Sequence, residues 1–186
     1  MKPFSQQQVI LCQRGDRSTQ KQVFEALYAP LFRVCQRYMS DTAESEDCLM
    51  RGLMKVFQQI DTFTYTGEHS LYMWARKIVV NEALMELRKR NNFYLMTEDQ
   101  LPDVPDQRDV LQQLDAEDIC RIILQLPEGY RTVLNLFAIE GYSHREIAAM
   151  LGIQESTSKT QYKKAKARLR ELLILHRYEL YGTAGK

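Results

Sequence analysis

Glycine and proline are scarce in this chain, eight and five residues among 186. Little therefore interrupts helices, and the common Leu, Gln, Glu, Arg and Met favour them. No apolar run approaches the roughly 20 residues that a membrane helix needs. Residues 1–8 are polar and lack the apolar core of a signal peptide. The expectation is a cytoplasmic protein with no direct membrane insertion. Of the four cysteines, Cys12, Cys35, Cys48 and Cys120, none stands at metal-ligand spacing from another. The three histidines, His69, His144 and His176, are equally scattered, so no metal site is expected. The thiols read as reduced, three of them inside helical apolar patterns. There is no Gly-rich phosphate loop and no Ser/His/Asp set with assignable roles. Neither a catalytic residue nor a cofactor is expected, and an enzyme has little support.

Excess charge of either sign is also missing: the formal net charge is +1. Its distribution matters more. Between residues 76 and 90, Arg76, Lys77, Arg88, Lys89 and Arg90 face only Glu82 and Glu86. Between residues 159 and 170, Lys159, Lys163, Lys164, Lys166, Arg168 and Arg170 meet no acid. Residues 98–128 hold nine acids against Arg108 and Arg121. Two basic surfaces flank an acidic segment.

The length suits one medium domain or two small ones, and 45% hydrophobic residues supply real cores. A first module is expected over residues 1–91. Phe24, Leu27, Leu31 and Cys35 recur at helical spacing, with Pro30 expected to kink that run or start a new helix. Asp41 or Thr42 suits the cap of the next helix, whose first turn is acidic. Leu49, Leu53, Val56, Phe57 and Ile60 give it an apolar face. Residues 61–70 read as a loop. A long helix follows from Leu71 to Arg90, with Trp74, Ile78 and Met85 expected inward. Residues 92–111, with Pro102 and Pro105, read as an acidic linker.

The second module is expected over residues 112–186. Ile119, Ile122, Ile123 and Leu126 form a stripe, and Pro127 suits a first helical position. Ser143 and Glu146 have capping-box spacing, and Gly152 suits a left-handed stop. After a tight turn, Ser156 or Thr157 is expected to cap a basic helix ending near His176. Two helices, a Gly-containing turn and Lys/Arg on the second helix describe a helix-turn-helix. An ordinary helical hairpin with a solvated basic face is the plainer alternative. In the basic helix, Ser158, Tyr162, Ala165, Leu169 and Leu172 are expected to face the core. Thr157, Thr160, Gln161 and Lys164 then fall on the opposite face, where a major groove could be read. Lys159, Lys163, Lys166 and Arg168 suit phosphates. The fold class is thus all-α: two small helical domains, the second a helix-turn-helix.

The run Leu126-Pro127-Glu128-Gly129-Tyr130-Arg131-Thr132-Val133-Leu134, followed by Glu140-Gly141-Tyr142-Ser143, Glu146-Ile147-Ala148 and Leu151-Gly152-Ile153, resembles region four of bacterial sigma factors. Arg37-Tyr38, Glu46-Asp47, Phe63, Trp74, Ile78, Asn81 and Leu87-Arg88-Lys89-Arg90 resemble region two. Both regions without a region-three domain resemble the extracytoplasmic-function type. Ser158-Lys159-Thr160-Gln161 departs from the Val-Lys-Ser-Arg run frequent in that family. Tyr162 stands where Leu is usual, and Leu53 replaces a common aromatic.

The resemblance implies a transcription initiation factor. Its partners would be promoter DNA, the beta-prime clamp and beta flap of core RNA polymerase, and an anti-sigma factor. It puts strand melting and minus-ten recognition on Phe63, Tyr65, His69, Arg76, Lys77, Asn81 and Arg88, where stacking and cations would grip a single strand. Trp74 reads more simply as core, and Phe63 reads evenly as core or as an anchor of the loop. Asn81 reads either as a buried cap-like residue or as a base-pocket residue. Polymerase binding falls on Asp47, Met50, Arg51 and Lys55, and minus-thirty-five recognition on the basic helix. The competing reading is a helix-turn-helix regulator acting without polymerase, although no ligand or phosphoryl-acceptor domain is visible.

Overall fold

A computed structural model describes residues 3–89 and 116–182, with side chains over 3–89 and 119–175. The expected linker over residues 92–111 lies outside the described residues. All regular structure among the described residues is helical. The chain divides into two compact units at the junction of Lys89 and Arg90, and each is considered by itself.

The first unit contains α1 (Gln6–Gln13), α2 (Arg17–Gln36), α3 (Thr42–Gln58) and α4 (Ser70–Lys89). Helix α1 was not legible in advance; it starts on a capping box formed by Ser5 and Gln8. Asp16 accepts from the Thr19 N–H at 2.7 Å and caps α2, and Asp41 caps α3 by accepting from Glu44 at 3.1 Å. Pro30 lies inside α2 and does not start a new helix, one of the two outcomes expected of it. It removes only the bond to the half-buried Ala26 carbonyl, while buried Leu27, Leu31, Val34 and Cys35 anchor both sides.

Helices α3 and α4 cross where α3 has no side chain. A Cβ built on Gly52 would lie 2.7 Å from Val79 Cγ2. Beside the crossing, Lys55 pairs with buried Glu82, and Arg51 pairs with Glu86 at 3.3 Å. Leu49, Leu53, Val56 and Ile60 are buried as their spacing predicts; Phe57 is half-buried. Trp74 and Ile78 are half-buried, and Met85 is 45% exposed rather than inward. Met85 shares the outer face of α4 with Lys77, Asn81 and Arg88, all exposed.

The second unit contains α5 (Ala116–Leu124), α6 (Glu128–Leu134), a π-helical segment (Asn135–Ile139), α7 (His144–Leu151) and α8 (Glu155–Gly182). Pro127 sits at the N-cap of α6, one place before the helical position expected of it. Leu126 falls beyond α5 but remains buried with Ile123, Tyr130, Leu134 and Ala165. Arg131 is buried, and its guanidinium donates to the Leu124 carbonyl at 2.9 Å. That contact satisfies a carbonyl at the end of α5. Burial lowers the Arg131 pKa, and Glu128 partly opposes this.

Candidate nucleic-acid interface

Helix α7 begins with the expected capping box: the Ser143 hydroxyl accepts from the Glu146 N–H, and the Ser143 N–H donates to the Glu146 carboxylate at 2.8 Å. It ends at Gly152, whose φ of 69° is left-handed. The chain turns within three residues and enters α8. This helix starts at Glu155, so Ser156 and Thr157 lie inside its first turn rather than at its cap. The Gln154 carbonyl instead accepts from the Ser158 N–H at 3.1 Å.

Exposure along α8 fixes its outward side. Ser156, Lys159, Thr160, Lys163 and Lys166 are exposed, the three- and four-residue steps of one helical face. Thr157 and Lys164 are half-buried at its edges. Ser158 and Ala165 are buried, and Tyr162, Leu169 and Leu172 pack on the core as expected. Gln161 corrects the reading: only 6% of it is exposed, so it lies on the packed side and cannot read a base edge from there. The buried seam of α8 is wider than one apolar stripe because α5, α6 and α7 all pack against it.

Among the expected phosphate contacts, Lys159 pairs with Glu155 at 2.6 Å and Arg168 with Glu171 at 2.8 Å. The Lys159 contact lowers the Glu155 pKa. Lys166 lies over the Tyr162 ring at 5.1 Å. At the junction of α7 and α8, His144 Nδ1 and Ser158 Oγ share a 2.9 Å hydrogen bond. The His144 ring stacks on Phe137 at 4.3 Å, 13° from parallel.

The other basic surface is the outer face of α4, where Met73, Lys77, Asn81, Met85 and Arg88 are exposed. Asn81 is therefore not a buried cap. Arg76, Tyr65 and Tyr72 are half-buried, and His69 is exposed. Phe63 is a second correction. It is 8% exposed and its ring lies 5.1 Å from that of Trp74, so it anchors the loop instead of offering a stacking face.

Two family profiles match the two units in order: sigma-70 region 2 over residues 23–93 and sigma-70 region 4 over residues 116–169. The chain belongs to the sigma-70 family. It directs RNA polymerase to promoters, as sigma factors do. A similar protein is the ECF RNA polymerase sigma factor SigM of Mycobacterium tuberculosis, 29% identical over 86% of this chain and 79% of its own length. The ECF sigma factor SigW of Bacillus subtilis is 25% identical, covering 86% of this chain and 91% of that one. Among solved structures, the sigma factor RpoE of Bartonella quintana, in complex with the anti-sigma factor NepR, superposes with a TM-score of 0.50 at 25% identity. That match covers 82% of this chain and 95% of the other.

In this sigma factor the four residues expected to grip polymerase do not form one open face. Asp47 and Met50 are exposed, whereas Arg51 and Lys55 are engaged with Glu86 and Glu82 of α4. The open surface is an apolar groove of about 280 Å³ lined by Phe24, Met50, Leu53, Met54, Phe57 and Gln58. Phe24 continues along α2 into a ladder with Tyr28 and Phe32, at ring separations of 5.8 and 6.1 Å.

Gln13 was missed altogether. Its side-chain amide donates to the Ile60 carbonyl at 3.0 Å and the Phe63 carbonyl at 2.9 Å. It thereby holds the start of the loop expected to contact the melted strand. The Phe4 N–H pins the other end through the Glu68 carbonyl at 3.0 Å. No sequence pattern singles out Gln13 among the four glutamines of α1.

Proposed function

We propose that the sigma factor reads its upstream promoter element with the outward face of α8, melts DNA with the outer face of α4, and seats on core polymerase through the α2–α3 groove. The exposed run Ser156, Lys159, Thr160 and Lys163 carries this reading. It joins two hydroxyls able to bond base edges with two cations suited to phosphates. Thr157, Lys164 and Arg168 lie beside the groove-facing residues and contact the DNA backbone.

On α4, Lys77 and Arg88 attract the strand, Asn81 bonds an unstacked base, and Arg76, Tyr65 and His69 border the site. In the α2–α3 groove, Met50 and Met54 offer adaptable apolar contact to a polymerase helix, with Asp47 at the rim. The α2–α3 groove is the proposed seat for the beta-prime clamp, and the second unit is proposed to meet the beta flap. Residues 1–91 and 112–186 are the two working modules, with the acidic segment joining them. An anti-sigma factor is a further partner; the likeness to RpoE, whose structure was determined with NepR, supports it.

The cytoplasm is the proposed location, where bacterial polymerase and promoter DNA are found. Among the described residues no helix is long and apolar enough to cross a membrane. Run-off transcription with purified core polymerase tests the whole reading. Promoter-dependent product supports it, and binding to DNA without product would make the protein a regulator that acts apart from polymerase.

A further inference from the structure

Two residues at which the recognition helix departs from its family meet at one side chain outside it. Ser158 puts a hydroxyl at a fully buried position where Val is usual. Tyr162 puts an aromatic ring where Leu is usual. Both face His144, the first residue of α7. Its Nδ1 lies 2.9 Å from Ser158 Oγ, and its ring lies 5.7 Å from Tyr162 and 4.3 Å from Phe137. Phe137 and Tyr162 themselves approach to 4.5 Å. A buried hydroxyl without a partner is costly, so Ser158 is tolerable only because His144 bonds it.

We propose that His144 is a positioning residue for promoter recognition: by bonding Ser158 and stacking within the Phe137–Tyr162 cluster, it fixes the rotation of α8 and so aims Thr160 and Lys163 at the DNA. The inference rests on the readout face proposed above. A flat apolar contact, as Val would give, permits sliding and rotation. A hydrogen bond with an adjoining ring stack does not.

The clasp also has a sign with respect to pH. The two aromatic faces alone would welcome an imidazolium. Against it stand burial, Lys159 of α8 and the positive end of α7 itself. Glu155 of α8 favours the charge but is paired with Lys159. Arg145 and Glu146 are the adjacent charges on α7, and Phe137 is the group presented by the π-helical segment. The outcome is a pKa below the ordinary histidine value. A depressed imidazole adds no pH dependence while both states are neutral. As pH falls below about 6.5, the released ring takes up its proton first, so the clasped state is weakened.

The test is promoter binding by holoenzyme rebuilt from core polymerase and the full chain, between pH 5.5 and 8. Wild type is compared with His144→Phe, Ser158→Val and the double variant, each checked by circular dichroism. At neutral pH each single variant is expected to bind about tenfold more weakly, because it strands one polar partner. The double variant opens the same clasp, so it is expected to bind no more weakly than either single variant, about tenfold below wild type, and to lose the weakening at low pH that wild type shows. Simple additivity of the two substitutions would overturn the proposal. So would wild-type binding that strengthens as pH falls relative to the double variant, because that is how a histidine facing phosphate behaves. Upstream-element discrimination that survives Thr160→Ala and Lys163→Ala would instead overturn the readout face, and the positioning role with it.

Discussion

Gln161 shows what helical spacing can and cannot settle. Its amide chemistry suggested a base reader, yet it lies in the seam with Ser158 and Ala165, and its Oε1 has no hydrogen-bond partner. An amide oxygen buried without a partner is destabilising, and an apolar side chain of similar size removes that cost. Gln161→Leu should therefore leave base preference at every promoter position unchanged and match or raise stability by up to about 1 kcal/mol. Thr160→Ala should shift preference at one upstream position by about 1–3 kcal/mol. A selection of transcribed sequences from a random promoter library, beside urea unfolding of each variant, checks both. Spacing placed Ser158, Tyr162 and Ala165 correctly because their apolar period is regular. It failed at Gln161 because the width of a buried arc depends on how many helices flank it, and a single strand of sequence does not carry that number. Phe63 failed for a related reason: an aromatic in a loop reads alike whether it faces solvent or, as here, Trp74.

Elements with strong end signals were the legible ones. Asp41 before α3, the Ser143–Glu146 box and Gly152 fixed their boundaries because capping is local chemistry. Helix α1 and the continuity of α2 through Pro30 were not legible, since neighbouring helices decide them. The α3–α4 crossing is similar: nothing in the sequence marks Gly52 as the contact point. Gly52→Ala gains helix propensity of about 1 kcal/mol but drives a methyl into Val79, including a backbone atom at 3.3 Å. Because that atom cannot step aside as a flexible side chain would, overpacking should win. The expected net loss is about 1–2 kcal/mol, read as a lower urea midpoint with an unchanged slope. The loop between α3 and α4 offers a functional counterpart. Gln13→Ala removes both bonds to the Ile60 and Phe63 carbonyls. Permanganate reactivity of promoter thymines should drop severalfold while the upstream footprint persists. Loss of both signals together would mean that Gln13 supports the whole unit instead of the loop.

Across the whole molecule the ordering of charge is the informative quantity, since the net value of +1 conceals it. Both basic surfaces belong to elements proposed to contact DNA, and the acids concentrate between them in residues 98–128. A neutral spacer would serve equally well if the segment only joined two modules. Five acids against one base in residues 92–111 give it instead a preference for a cationic environment and keep it off phosphate. Polymerase must hold RNA in a cationic channel, so an anionic segment of the initiation factor is suited to occupy that channel until RNA displaces it. Replacing Asp99, Asp103, Asp106 and Asp109 by Asn keeps length and leaves both modules untouched. Channel occupancy predicts weaker holoenzyme assembly and a changed ratio of abortive to full-length RNA. Both effects should be largest at low salt, where screening is weakest. A segment that only spaces the modules predicts neither, so unchanged assembly and an unchanged ratio at low salt would leave the acids with solubility alone to explain them.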